Sequence, residues 1–247
     1  MRYKILILTI LITCSTMAGT IKVAVAANVS YAIEELKTVF EEKHSGIKVE
    51  VILGSSGKLT SQIRQGAPYS LFMSANMSYP QALYDEGKAI QKPVVYAQGV
   101  LAFLSNKQRN PCKEETVLND NDIKKIAIAN PKTAPYGVAT VEALKNVKLY
   151  EKHKDKFVYG ESVSQTVFYA TMAADIGIVA ASALHSPQLS KFREGVHWWE
   201  LDEELYTPIS QGMVMIEESK DAKAFYDFIL SMEAKEIFKK YSYKVTE

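Results

Sequence analysis

The chain has 247 residues, 47% of them hydrophobic and 23% charged, which is enough apolar material for one large core or two modest ones and excludes a disordered chain. With 29 basic and 28 acidic residues the formal charge is +1, and no basic run is interleaved with aromatics, so a nucleic-acid or anionic-membrane surface has no electrostatic basis. Two cysteines, Cys14 and Cys112, are too few for a disulfide framework.

The chain opens on a positive start with Arg2 and Lys4, continues in an apolar run over residues 5–13 that is too short to span a bilayer, and leaves it through small residues at 15–19. This predicts a secretory signal peptide over residues 1–19 and hence an exported protein. Cys14 ends the apolar run, but Thr13 is a poor residue before a lipid-modified cysteine, so cleavage after Ala18 or Gly19 is expected rather than lipid anchoring. The mature protein then carries 27 basic and 28 acidic residues, and with one cysteine left its stability must come from packing.

Residues 21–27 read as a buried strand, and Asn28 to Ser30 open a helix whose Ile33, Leu36 and Phe40 recur at helical spacing until Ser45-Gly46. Ile47, Val49, Val51 and Leu53 alternate as a second strand, which passes through Gly54-Ser55-Ser56-Gly57 into a helix ending near Gly66-Ala67-Pro68. A short strand at 71–73 and a helix at 79–86, with Pro80 in its first turn, follow. The apolar stretch 94–104, interrupted at Gln98-Gly99, is longer than one short strand needs and reads as a crossing between lobes. A second run then has strands at 125–129, 157–159 and 176–179 and helices at 137–146 and 162–173. Residues 210–216 return to the first lobe, with amphipathic helices at 220–231 and 233–241 packed upon it. The predicted division is one lobe from 20–98 plus 209–247 and a second from 99–208.

Alternating strands and helices imply mostly parallel pairing, with ligands gathered at the carboxyl ends of the strands. Four strand-to-helix junctions fall there: Ala27-Asn28, Ser55-Ser56, Tyr136-Gly137 and Ser162-Val163. Each exposes unsatisfied N–H groups and the positive end of a helix dipole, a natural seat for an anion. Taken singly, Ser56, Asn28 and Ser162 could be no more than helix caps, and Tyr136 a packed turn residue.

The four histidines are scattered without metal-ligand spacing, and surface placement is expected for each. No Gly-x-Ser-x-Gly elbow or dinucleotide signature occurs, and Gly54 to Lys58 is not a P-loop because Ile52 stands where its first glycine belongs. Trp198-Trp199 is expected to pack in the core. What remains is neutral donor chemistry: an amide at Asn28, a hydroxyl at Ser56, a phenol at Tyr136 and a backbone N–H at Val163. Such a donor-only pocket favours a fully deprotonated oxyanion, since a protonated one brings an O–H that needs an acceptor.

From about residue 21 to 245 the chain resembles the periplasmic molybdate-binding proteins of ABC transporters. The resemblance rests on VAVAANVSYAIEELK, LGSSGKLTSQIRQGAPYSLFMSAN, IAIANPKTAPYG, GESVSQ, GIVAASAL and AKEIFKKY, matched in order. It implies an α/β, two-lobed periplasmic-binding-protein fold of type II, each lobe a mixed, mainly parallel sheet flanked by helices, with the ligand in the interlobe cleft. It further implies a monomeric, non-enzymatic receptor in the periplasm, without catalytic residues or cofactor, that binds molybdate or tungstate and serves an ABC permease. The family's oxyanion-contacting positions fall on Ala27, Asn28, Ser56, Tyr136 and Val163. In the better-known branch a serine stands at the place of Asn28, a small residue at that of Tyr136 and a tyrosine at that of Ala180, so the resemblance implies that Tyr136 replaces the hydroxyl missing at Ala180. Sulfate or phosphate receptors are the alternatives within the class. An exported enzyme with an anion hole would instead need a nucleophile or base at the junctions, and a regulatory domain would need a DNA-binding helix pair.

Overall fold

The computed structural model describes residues 19–109 and 117–245; residues 1–18 of the expected signal peptide, with Cys14, and Cys112 lie outside them. The chain begins with strand β1 (Gly19–Ala26), a 3-10 turn at Ala27–Val29, helix α1 (Ile33–Lys43), β2 (Ile47–Gly54), α2 (Ser56–Arg64), β3 (Leu71–Met73), α3 (Ser78–Asp85) and β4 (Val94–Gly99). Only Val100 separates β4 from β5 (Leu101–Leu104), and β6 (Ile126–Ala129), α4 (Pro135–Asn146), β7 (Phe157–Gly160), α5 (Val163–Met172), β8 (Ile176–Ala180) and β9 (Trp198–Glu200) follow. The chain returns as β10 (Ile209–Met215) and closes with α6 (Lys220–Ile229) and α7 (Met232–Lys240).

The strands form two five-stranded sheets, ordered β2-β1-β3-β10-β4 and β7-β6-β8-β5-β9. The expected mixed sheets are found, but parallel and antiparallel ladders are equal in number. β1 runs parallel to β2 and β3, and β6 parallel to β7 and β8. β10 runs against β3 and β4, and β5 against β8 and β9, because these strands carry the chain between lobes and enter each sheet from the far end.

Each sheet is buried on both faces, as parallel strands covered by crossover helices must be. Ile21, Val23 and Val25 of β1 face a core shared with Ile33, Leu36 and Phe40 of α1 and Phe225 and Phe238 of the last two helices. Ala24 turns the other way, toward Leu59 of α2 and Leu83 of α3. In the second sheet Ile126 and Ile128 face Tyr136 and Leu144 of α4, while Ala127 faces Val167 and Ala170 of α5. The alternation in β2 misleads at one position: Leu53 is 49% exposed, since β2 is an edge strand whose end reaches the cleft mouth. Trp198 is buried as expected, its Nε1 donating to Phe192 O at 3.1 Å. His153 departs from the surface placement expected of the histidines; it is buried, with Nε2 3.1 Å from Asn119 Oδ1, and desolvation lowers its pKa below the usual imidazole range.

Candidate functional site

The 3-10 turn at Ala27 and the first turns of α2, α4 and α5 end at one place between the sheets. There they line a small cavity of about 10 Å³ that Ala27, Asn28, Ser56, Tyr136 and Val163 all border. The sequence builds this convergence by placing each helix start directly after the carboxyl end of a strand: β1 into Ala27, β2 into Ser56, β6 through a five-residue loop into Pro135, and β7 into Val163. First-turn N–H groups have no acceptor within their own helix, so each junction offers backbone donors. Among the described residues none that borders the cavity is charged.

Each side chain has a definite state. Ser56 is not acting as a cap: its Oγ accepts from Ala75 N at 3.0 Å, which leaves its own proton to donate. Ser55 stands at the cap position of α2 without a side-chain cap bond, and its buried Oγ has no partner among the described residues. Ser162 does cap α5, accepting from Gln165 N at 3.3 Å. The amide of Asn28, expected to be a free donor, is spent inside the protein: Nδ2 donates to Gln211 Oε1 at 2.8 Å and to Tyr243 Oη at 2.9 Å, while Oδ1 is buried without a partner among the described residues. Asn28 therefore has no free side-chain hydrogen to offer the cavity.

Tyr136 is the second residue of α4 and lines the cavity. Its hydroxyl lies at the crossing between lobes: a Cβ on Gly99 would overlap Tyr136 Oη and come within 2.7 Å of Gln211 Nε2, so only glycine fits at 99. The hydroxyl makes no well-formed hydrogen bond among the described residues. Burial, and secondarily Tyr243, pushes its pKa well above the ordinary tyrosine range, so it stays a neutral phenol. Ala180 is buried in the second lobe's core and does not border the cavity.

The lobes touch around this site. Gly57 N donates to Thr133 O at 2.9 Å, Ser164 Oγ to Ala27 O at 2.7 Å, and Ser182 Oγ to Asn28 O at 2.9 Å. At the rim Lys58 Nζ and Glu161 Oε1 are 3.0 Å apart, both side chains more than half exposed. Glu161 precedes the fourth junction, yet it faces Lys58 instead of bordering the cavity. The residues that sequence reading did not reach are Gln211, Tyr243, Ser182 and Thr133. A glutamine inside the apolar return strand was the one available signal.

Two sheets joined by strand crossings, with a small polar-lined cavity between them at the carboxyl ends of the strands, define a receptor for a small solute. Residues 21–244 match the family of bacterial extracellular solute-binding proteins, and the chain belongs to that family. The molybdate-binding protein ModA of Rhodobacter capsulatus is 38% identical over 235 residues, covering 93% of this chain and 90% of that protein. Its counterpart from Azotobacter vinelandii is 36% identical over 238 residues, covering 94% and 93%. The solved structure of the Azotobacter vinelandii periplasmic molybdate-binding protein aligns with a TM-score of 0.84 at 30% identity, over 92% of this chain and 100% of that one. The family resemblance drawn from the motifs is borne out by these relatives.

Proposed function

We propose that this protein captures molybdate, and tungstate with it, in the periplasm and hands it to the permease of an ABC transporter, acting as a monomer without a catalytic step or cofactor. The observation that carries this reading is the convergence of four helix starts on a small cavity without charge. A tetrahedral dianion there trades its hydration shell for the Ser56 hydroxyl and the backbone N–H groups at Ala27, Asn28, Ser56, Tyr136 and Val163, each aligned before the ion arrives. With the lobes in contact beside the cavity at Gly57, Ala27 and Asn28, the ion enters when the lobes part, and their return excludes water from it. An acyl-transfer or hydrolytic role has no support: the partner of Ser56 Oγ is a backbone N–H, and neither histidine nor carboxylate borders the cavity.

Calorimetric titration of the mature protein with molybdate, tungstate, sulfate and phosphate tests the reading. Molybdate and tungstate are expected to bind one per chain and far more tightly than sulfate, with phosphate weakest because its remaining O–H at neutral pH finds few acceptors. Sulfate or phosphate binding as tightly as molybdate would overturn the assignment.

A further inference from the structure

Gln211 is a fully buried amide on the face of β10 that otherwise sends Met213 and Met215 into an apolar core. A polar group in such a place is costly unless it is bonded, and Gln211 is bonded to Asn28 at the site and to Ile209 O of its own strand. The ladder with β4 shifts register at Gln211/Gly212, leaving Tyr96 as an extra residue on β4 whose Oη donates to Ser74 O at 3.2 Å beside the Gln211 amide. Bulges commonly re-aim a side chain toward a functional site.

Two backbone carbonyls fix the polarity of this network, because a carbonyl only accepts. Tyr243 Oη donates to Asn28 O at 2.8 Å, and Gln211 Nε2 donates to Ile209 O at 3.1 Å. Gln211 must then present Oε1 to Asn28, and Asn28 must present Nδ2 to both Gln211 and Tyr243. Asn28 belongs to the first lobe's cavity turn. From the second lobe, Tyr136 Oη of α4 reaches the same point over Gly99 as Gln211 Nε2. We propose that Gln211 is a positioning residue of the oxyanion site: from the return strand it fixes the Asn28 turn of one lobe and the Tyr136 helix start of the other, so that closure brings both sets of N–H donors to one ion. This rests on the reading of the cavity as an oxyanion site.

Two variants test it in the full mature chain. Gln211→Met keeps the volume and removes both polar contacts, so the apo protein should melt near the native temperature while molybdate affinity falls at least about fivefold. Gln211→Glu supplies a conservative rescue that depends on pH. Its protonated carboxyl repeats the amide pattern, with C=O toward Asn28 Nδ2 and O–H toward Ile209 O, whereas the ionised form loses the donor and sets a charge beneath the anion. The titratable groups packed around position 211 are Tyr96 from β4, Tyr136 from α4 and Tyr243 from the segment after α7, all held above the ordinary tyrosine range by burial. They stay neutral between about pH 5.5 and 8.5, so the native affinity should be flat there, while that of Gln211→Glu falls about tenfold or more as pH rises. If Gln211→Met does not fold, the rescue at low pH carries the test. A smaller loss in folded Gln211→Met, or a Gln211→Glu profile parallel to the native one, overturns the assignment. Native protein that fails to bind molybdate at all would instead overturn the functional reading.

Discussion

The lobes meet at two levels, a rim and a floor, and the chemistry differs between them. At the rim an exposed ion pair, Lys58 with Glu161, stands beside the backbone bond from Gly57 to Thr133 O. At the floor these groups are neutral and buried: Asn28, Gln211, Tyr243 and Ser182 exchange amide, hydroxyl and carbonyl hydrogen bonds, and the Tyr136 hydroxyl lies against them. The anion cavity borders the floor and contains none of the rim's charge. A full positive charge at the cavity would hold many anions, whereas a fixed set of neutral donors rewards only the ion whose oxygens match them; charge placed at the rim remains screened by solvent and leaves that discrimination intact.

Substitutions at the two levels should therefore act unequally. The largest effect is expected from Ser56→Ala, which takes a donor from a charged acceptor and should weaken molybdate binding by about 1.5–3 kcal/mol with little change in fold, measured by calorimetry. Gly57→Ala comes next: its Cβ would lie 2.9 Å from Tyr79 Oη and 3.1 Å from Thr133 Cα and O, holding the rim apart. A loss of about 1–3 kcal/mol is expected, appearing as faster dissociation in stopped-flow displacement while apo stability is kept. Tyr136→Phe keeps the ring and removes a hydroxyl that touches the floor network and not a charged partner, so about 0.5–1.5 kcal/mol should be lost. A larger loss would place that hydroxyl on the ion itself. Lys58→Ala should cost no more than about fivefold in affinity, and less as salt is raised. A drop of several orders of magnitude there would abolish the distinction between rim and floor.

How much of this was legible in the sequence depended on the distance over which the signal is written. Ile33, Leu36 and Phe40, the doubly buried β1 and the crossing at Gln98-Gly99 were readable because periodicity and glycine placement are local. So was the gathering of four helix starts, which follows from strand-helix alternation alone. Burial on β2 was not, since an edge strand shows the same alternation as a covered one, and Leu53 is exposed. At Ser56 a cap and a ligand donor share one residue type, and only the bond from Ala75 N separates them. The floor network was out of reach. Asn28 meets Gln211 across 183 positions and Tyr243 across 215, so no window in the sequence relates them.

The position of β10 has a consequence for how the molecule is assembled. Strands β5 to β9 follow one another within residues 101–200, so the second lobe can complete its sheet from a continuous stretch. The first lobe cannot, because β10 lies between β3 and β4 and arrives only after the whole second lobe has been made. Until then β3 and β4 have no common neighbour, and Asn28 lacks both Gln211 and Tyr243. Such non-local pairing delays folding, since loop closure must precede the contacts that reward it. The lobe whose first strand emerges earliest is therefore the one finished last, and the anion cannot guide folding, because its seat forms only when the rest is in place.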